Sequence, residues 1–206
     1  MGTAVVNIVS VSGNANEIKR FKKTVEGVRE PFDLNKIIPM PKELEGTTKL
    51  YGFDELLEAL KGNWKLSSYK NFTEGDIERA RRYYSNLLHF GVTNSWEWRA
   101  QHWNITFDVY DCWIVDKTET SLKYRFATVE NEPSPIFEEI KKRFPFLCIQ
   151  VDICRRCEDM ALGDPDELDC VYRSFWKRME TKALSEEEVR NNIQRSWNYS
   201  DYYTVE

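Results

Sequence analysis

Histidine is scarce in this chain: His89 and His102 are the only two in 206 residues. Catalysis or metal binding built on imidazole therefore has few ways to be assembled. His89 ends a helical pattern after Leu87 and Leu88, where a capping or packing role is expected. His102 directly precedes Trp103. Glycine is thin, at nine residues, and Gly13, Gly46, Gly52, Gly62 and Gly75 are scattered, which excludes a phosphate-cradling loop. A basic surplus is missing too. Against 34 Asp and Glu stand 29 Lys and Arg, a net charge of −5, which argues against holding duplex DNA by charge. No apolar run approaches the roughly 20 residues that cross a bilayer. The N-terminus lacks the basic and then apolar pattern of a secretion signal. Cysteines number five, an odd count, so reduced thiols in the cytoplasm of a host cell are expected.

What is present is a core. Hydrophobic residues make up 41% and aromatics 14%, enough for a folded, soluble domain with appendages. Thr3 to Val11 is β-branched and apolar and predicts a strand. Asn14 with Glu17 three residues later starts a helix, with Ile18, Phe21, Val25 and Val28 on one side. Pro31, Pro39 and Pro41 break the next stretch, and Phe32, Leu34, Ile37 and Ile38 are expected to pin it to the core. Two helical patterns follow. Phe53, Leu56, Leu57 and Leu60 form the first. The second is capped by Thr73 and Asp76, with an apolar side of Ile77, Ala80, Tyr84, Leu87 and Leu88. Arg79, Arg81 and Arg82 lie on or near its exposed side.

Alternation over about Trp103 to Trp113 predicts a second strand, with Trp96 and Trp98 in its approach. A polar turn near Asp116 to Thr120 leads to a third strand, Leu122 to Thr128. Ser134 and Pro135 open a helix carrying Ile136, Phe137, Ile140 and Phe144, which Pro145 stops. Phe146 to Ile153 is a fourth strand, and Glu158 to Leu162 a short fifth. Leu168, Val171, Tyr172, Phe175, Trp176 and Met179 then keep helical spacing, and Ser185 with Glu188 caps a last helix.

The order β-α-insertion-β-β-α-β is that of an α+β, ferredoxin-like fold, a split βαβ with an antiparallel sheet. The expected division is a domain over 1–160, with a helical insertion near 50–90, and a C-terminal helical extension over 161–206.

Three segments carry a resemblance. They are Phe32-Asp33-Leu34-Asn35-Lys36-Ile37-Ile38-Pro39-Met40-Pro41-Lys42-Glu43-Leu44, the aromatic run His102 to Asp111, and Phe126-Ala127-Thr128 leading to Pro133-Ser134-Pro135. Over roughly residues 3–155 the chain resembles the YubB-type ferredoxin-like family of phage, prophage and plasmid proteins. That resemblance implies the fold and a mobile-element origin. It implies no catalytic set.

Cys154-Arg155-Arg156-Cys157 is the most conspicuous short motif. A metal site would draw on Cys148, Cys154, Cys157 and Cys170, but a second C-x-x-C is absent, and buried strand cysteines are the plainer reading. Neighbouring acidic residues such as Glu138 and Glu139 point about 100° apart on a helix and make no catalytic pair. The open face of a ferredoxin-like sheet can stack bases on aromatics. Tyr110, Tyr124 and Phe126, interleaved with Lys123 and Arg125, are the candidates if they face outward. The expectation is therefore a protein without enzymatic activity, cofactor or membrane contact. Its partner would be a host or defence-system protein, as for an anti-CRISPR inhibitor, with RNA or single-stranded DNA as the alternative.

Overall fold

The structure, a computed structural model, describes residues 3–48, 73–155, 176–185 and 187–188. The chain divides into two compact units, residues 1–38 with 108–206, and residues 39–107.

The first unit is a five-stranded sheet in the order β2-β3-β1-β4-β5, with every neighbouring pair antiparallel. The strands are β1 (Ala4–Ser12), β2 (Tyr110–Lys117), β3 (Ser121–Val129), β4 (Cys148–Arg155) and β5 (Trp176–Thr181). Its first four strands and two helices, α1 (Ala15–Val25) and α4 (Ser134–Arg143), are the ferredoxin-like core.

Side-chain alternation decides which face the helices cover. Val5, Val9 and Val11 of β1 are at most 1% exposed. Through the register they share a face with Leu122, Tyr124 and Thr128 of β3 and with Ile149, Val151 and Ile153 of β4. Onto that face α1 brings Ile18, Phe21 and Val25, while α4 brings Ile136, Phe137 and Ile140. The centre is aromatic. Phe32 stacks on Phe126 at 5.1 Å and meets Tyr124 edge-on at 5.2 Å, and Phe21 meets Phe144 edge-on at 5.0 Å.

The proline-broken stretch is pinned as its sequence predicts: Phe32, Leu34 and Ile37 are buried. Its backbone is tied to α1 by the Asp33 amide donating to the Val25 carbonyl at 2.8 Å. Gly27 is required there, because a Cβ on it would lie 2.6 Å from that of Asp33. Since α1 ends at Val25, Val28 falls outside the helix and is 99% exposed, not packed.

The second unit holds α2 (Glu74–Phe90) and α3 (Ser95–Trp103). Thr73 and Asp76 form a reciprocal capping box, and Gly91, in the left-handed region at φ 71°, closes α2. Its buried stripe is Ala80, Tyr83 and Asn86, whereas Leu88 is 67% exposed. Polar bonds turn that face inward. The Asn86 amide donates to the Thr93 carbonyl, and Tyr83 Oη donates to the Thr48 carbonyl.

Two expected elements differ. The segment Ser95 to Trp103 is helix, and β2 begins only at Tyr110. Asn94 accepts from the amides of Trp96 and Glu97, and the Glu97 carboxylate accepts from the Thr93 amide and hydroxyl. This capping makes Ser95 to Trp103 helix, and residues 104–109, where the alternation continues, are neither helix nor strand. Trp176 to Thr181, expected as helix, is β5, paired in register from Cys154↔Trp176 to Ile149↔Thr181. The free edge of β4 supplies hydrogen bonds that helical spacing does not foresee. The cap of the last helix forms, since the Ser185 amide and hydroxyl both donate to Glu188. The first insertion helix, the short strand near Glu158 and the apolar part of the last helix lie outside the described residues.

Phe32→Ala removes a fully buried ring from the aromatic centre. Urea unfolding is expected to show a loss of about 3–5 kcal/mol. Tyr124→Phe removes a buried hydroxyl that has no hydrogen-bond partner among the described residues. It is expected to leave stability unchanged or raise it by up to about 1 kcal/mol.

Candidate interaction surface

Strand parity separates the five sheet residues that the sequence grouped together. Tyr124 and Phe126 are both 0% exposed and lie in the aromatic core beneath the helices. They offer no face to a base, because turning them outward would break the packing with Phe21, Phe32 and Phe137. Lys123 and Arg125 alternate with them and so point to the opposite, open face. Tyr110, paired with Ala127, joins that face and is 37% exposed.

The open face is organised in rungs across the strands. One runs Trp113, Arg125, Ile8, Asp152. The Arg125 guanidinium lies 4.3 Å from the Trp113 ring centroid, a cation–π contact that fixes the indole. The next rung holds Lys123, Ser10 and Gln150, and the Gln150 amide donates to Asp152 at 2.8 Å. Toward the other end Val6, Ala127 and Cys154 are buried, so that end of the face is covered.

Trp113 and Val115 are what sequence reasoning missed. They are 39% and 45% exposed on β2, the outermost of the described strands on its side of the sheet. The register of β2 shifts between Tyr110 and Trp113 and again between Ile114 and Asp116. Such irregularities bend a strand and re-aim its side chains. In the observed register Ile114 opposes the buried Tyr124, which sends Trp113 outward.

The remaining candidates are placed separately. Cys148 is exposed and Cys154 buried, on the same strand. Six residue steps along the β-strand separate them by about 20 Å, far beyond a shared ion. Cys157 and Cys170 lie outside the described residues. His89 bonds the Ser85 carbonyl through Nδ1 at 2.7 Å, and His102 stacks on Trp98 at 4.3 Å. Arg82 is used structurally, donating to the carbonyls of Glu43 and Glu45.

Behind β2, burial holds the Cys112 thiol well above its ordinary 9.0, at about 11, and the nearby Glu30 charge adds to this. The Phe32 carbonyl faces the same thiol at 4.0 Å. Burial likewise raises the Tyr124 phenol, helped by Glu26 and Cys112. Neither group suits a nucleophile at neutral pH.

These shifts have a defined sign. Between pH 9 and 11 the unfolded chain loses the Cys112 proton while the folded chain keeps it, so stability falls as pH rises. Urea midpoints measured across that window should fall more steeply for the wild type than for Cys112→Ala. Equal slopes would contradict the raised titration of this half-buried thiol.

Among solved structures the chain is similar to the crystal structure of a protein, api92, from Yersinia pseudotuberculosis, of the DUF1281 family. The TM-score is 0.41 and the identity 10%, over 80% of this chain and 100% of that one. No family model matches the chain, and no curated protein matches it.

Proposed function

We propose that this protein is a non-enzymatic accessory protein of a phage, prophage or plasmid that binds a host or defence-system protein through strand β2. Inhibition of a defence system, in the manner of an anti-CRISPR protein, is the concrete form. One observation carries the reading: Trp113 and Val115 stand exposed on an outermost strand, with Tyr110 beside them. Tryptophan and tyrosine are the residues that anchor protein interfaces most often. Arg125 already holds the Trp113 ring, so less rotamer freedom is lost on binding. The mobile-element origin is supported by the resemblance carried by Phe32 to Leu44.

The second reading, a single strand of RNA or DNA on the open face, is favoured by one feature. Trp113 supplies a stacking ring beside the cations Arg125 and Lys123. The burial of Tyr124 and Phe126 shrinks that platform, so the protein partner ranks first.

Recovery of tagged protein from bacterial lysate, with and without nuclease, tests the choice. A partner protein retained after nuclease, and reduced at least tenfold by the double variant Trp113→Ala with Val115→Asp, is the expected result. Recovery that disappears with nuclease, and is salt-sensitive and lost in Lys123→Ala with Arg125→Ala, would put nucleic acid first.

A further inference from the structure

A groove of about 410 Å³ lies between α1 and the β2–β3 turn, on the helix side of the sheet. Its floor is apolar: Ile18 of α1 and Leu122 of β3 are 4% and 2% exposed. Its rim carries Lys19 and Lys22 from α1, and Lys117 and Glu119 from the turn. The sheet register explains this arrangement. Lys117 opposes Leu122, so both side chains fall on the face that α1 covers.

The walls are fixed before any ligand arrives. The Thr118 amide donates to the Ser121 carbonyl at 2.9 Å, and the two hydroxyls of that pair bond at 2.7 Å. The Gly13 amide, just ahead of α1, donates to the Thr120 carbonyl at 3.0 Å. On its other side Gly13 lets Leu147 pack close, because a Cβ there would lie 2.5 Å from Leu147 Cδ2. The start of α1 and the turn are thus clamped together across the groove.

The rim sets three ammonium groups against one carboxylate, Glu119. Lys22 pairs with Glu26 at 2.8 Å. Lys19 and Lys117 make no side-chain hydrogen bond or ion pair among the described residues. In a chain of net charge −5, two unpaired ammonium groups above an apolar floor mark a local reversal of sign.

We infer that this groove docks an acidic segment of a partner protein, with an apolar side chain on the floor and flanking carboxylates on Lys19 and Lys117. The inference deepens the protein-binding reading and rests on it for the partner's class. Charge complementarity selects the carboxylates, and the floor selects against a bare phosphate backbone, which brings charge without an apolar group. The volume suits one large side chain with its neighbours, at the small end of ligand pockets.

The test is fluorescence anisotropy with a labelled peptide alternating glutamate with leucine and phenylalanine. The same peptide with glutamine for glutamate, and an oligothymidine of matched charge, serve as comparisons. Saturable binding of the acidic peptide is expected, at least tenfold tighter than the glutamine peptide. Lys19→Glu with Lys117→Glu should weaken it at least tenfold, while Lys142→Glu on α4 leaves it unchanged. Thermal melts confirm that these surface variants fold. Absence of saturable binding, equal affinity in the double variant, or oligothymidine bound tighter with the same losses would overturn the inference. Trp113→Ala separates the two proposals: it should spare the peptide, and peptide binding that persists while lysate recovery ignores Trp113 would sink the β2 reading alone.

Discussion

One face of a twisted antiparallel sheet is buried beneath two helices, and most of the structure depends on that burial. Phe21, Phe32, Tyr124, Phe126 and Phe137 meet there, joined by valines of β1 and the aliphatic residues of β4. Because side chains alternate, the choice of inward residues also fixes the outward ones. A slip of one residue in β3 would exchange Tyr124 and Phe126 for Lys123 and Arg125 and bury two cations. The register is therefore strongly held, and the chemistry of the open face follows from the packing of the covered one.

This coupling explains two polar residues in the core. Asn7 lies in the middle of β1 at 0% exposure, donating to the Val5 carbonyl and to Thr128 Oγ1. Thr128 in turn reaches the Asn131 carbonyl at 2.6 Å, tying the end of β3 to the loop before α4. The Asn7 side-chain oxygen Oδ1 and the Tyr124 hydroxyl stay unsatisfied among the described residues. Each costs stability, which the surrounding aromatic contacts offset. The outer surface is correspondingly divided. The open face is partly covered near Val6, whereas β2 shows an indole braced by Arg125.

Much of the core was legible in the sequence because local signals and burial agree. The β-branched run of β1, the Asn14 cap, the spacing of Ile18, Phe21 and Val25, and the Pro145 stop after α4 coincide with observed elements, whereas α4 opens one residue before Pro135, with Pro133 at its N-cap and no side-chain cap from Ser134. The misreadings occur where a period is ambiguous. Trp103, Ile105, Phe107 and Val109 alternate like a strand, but the Asn94 cap makes α3 and Asn104, at φ 63°, ends it. Trp176 and Met179 keep helical spacing, yet the backbone there is recruited by the edge of β4. For the site, Tyr124 and Phe126 were legible as strand residues but not as inward ones. The alternation with Lys123 and Arg125 already implied opposite faces, and the valine parity of β1 decides which face is covered. Trp113 was hidden because the irregular register of β2 has no local sequence mark.

The central claim is that the helix-covered face holds the fold while β2 and its exposed Trp113 are left for recognition. Amide hydrogen exchange by mass spectrometry, on the protein alone and with the partner recovered from lysate, tests it most directly. The account predicts slow exchange in β1 and β3 in both states, and protection of Tyr110 to Lys117 that appears only with the partner. Protection confined to other segments, with β2 unchanged, would contradict it.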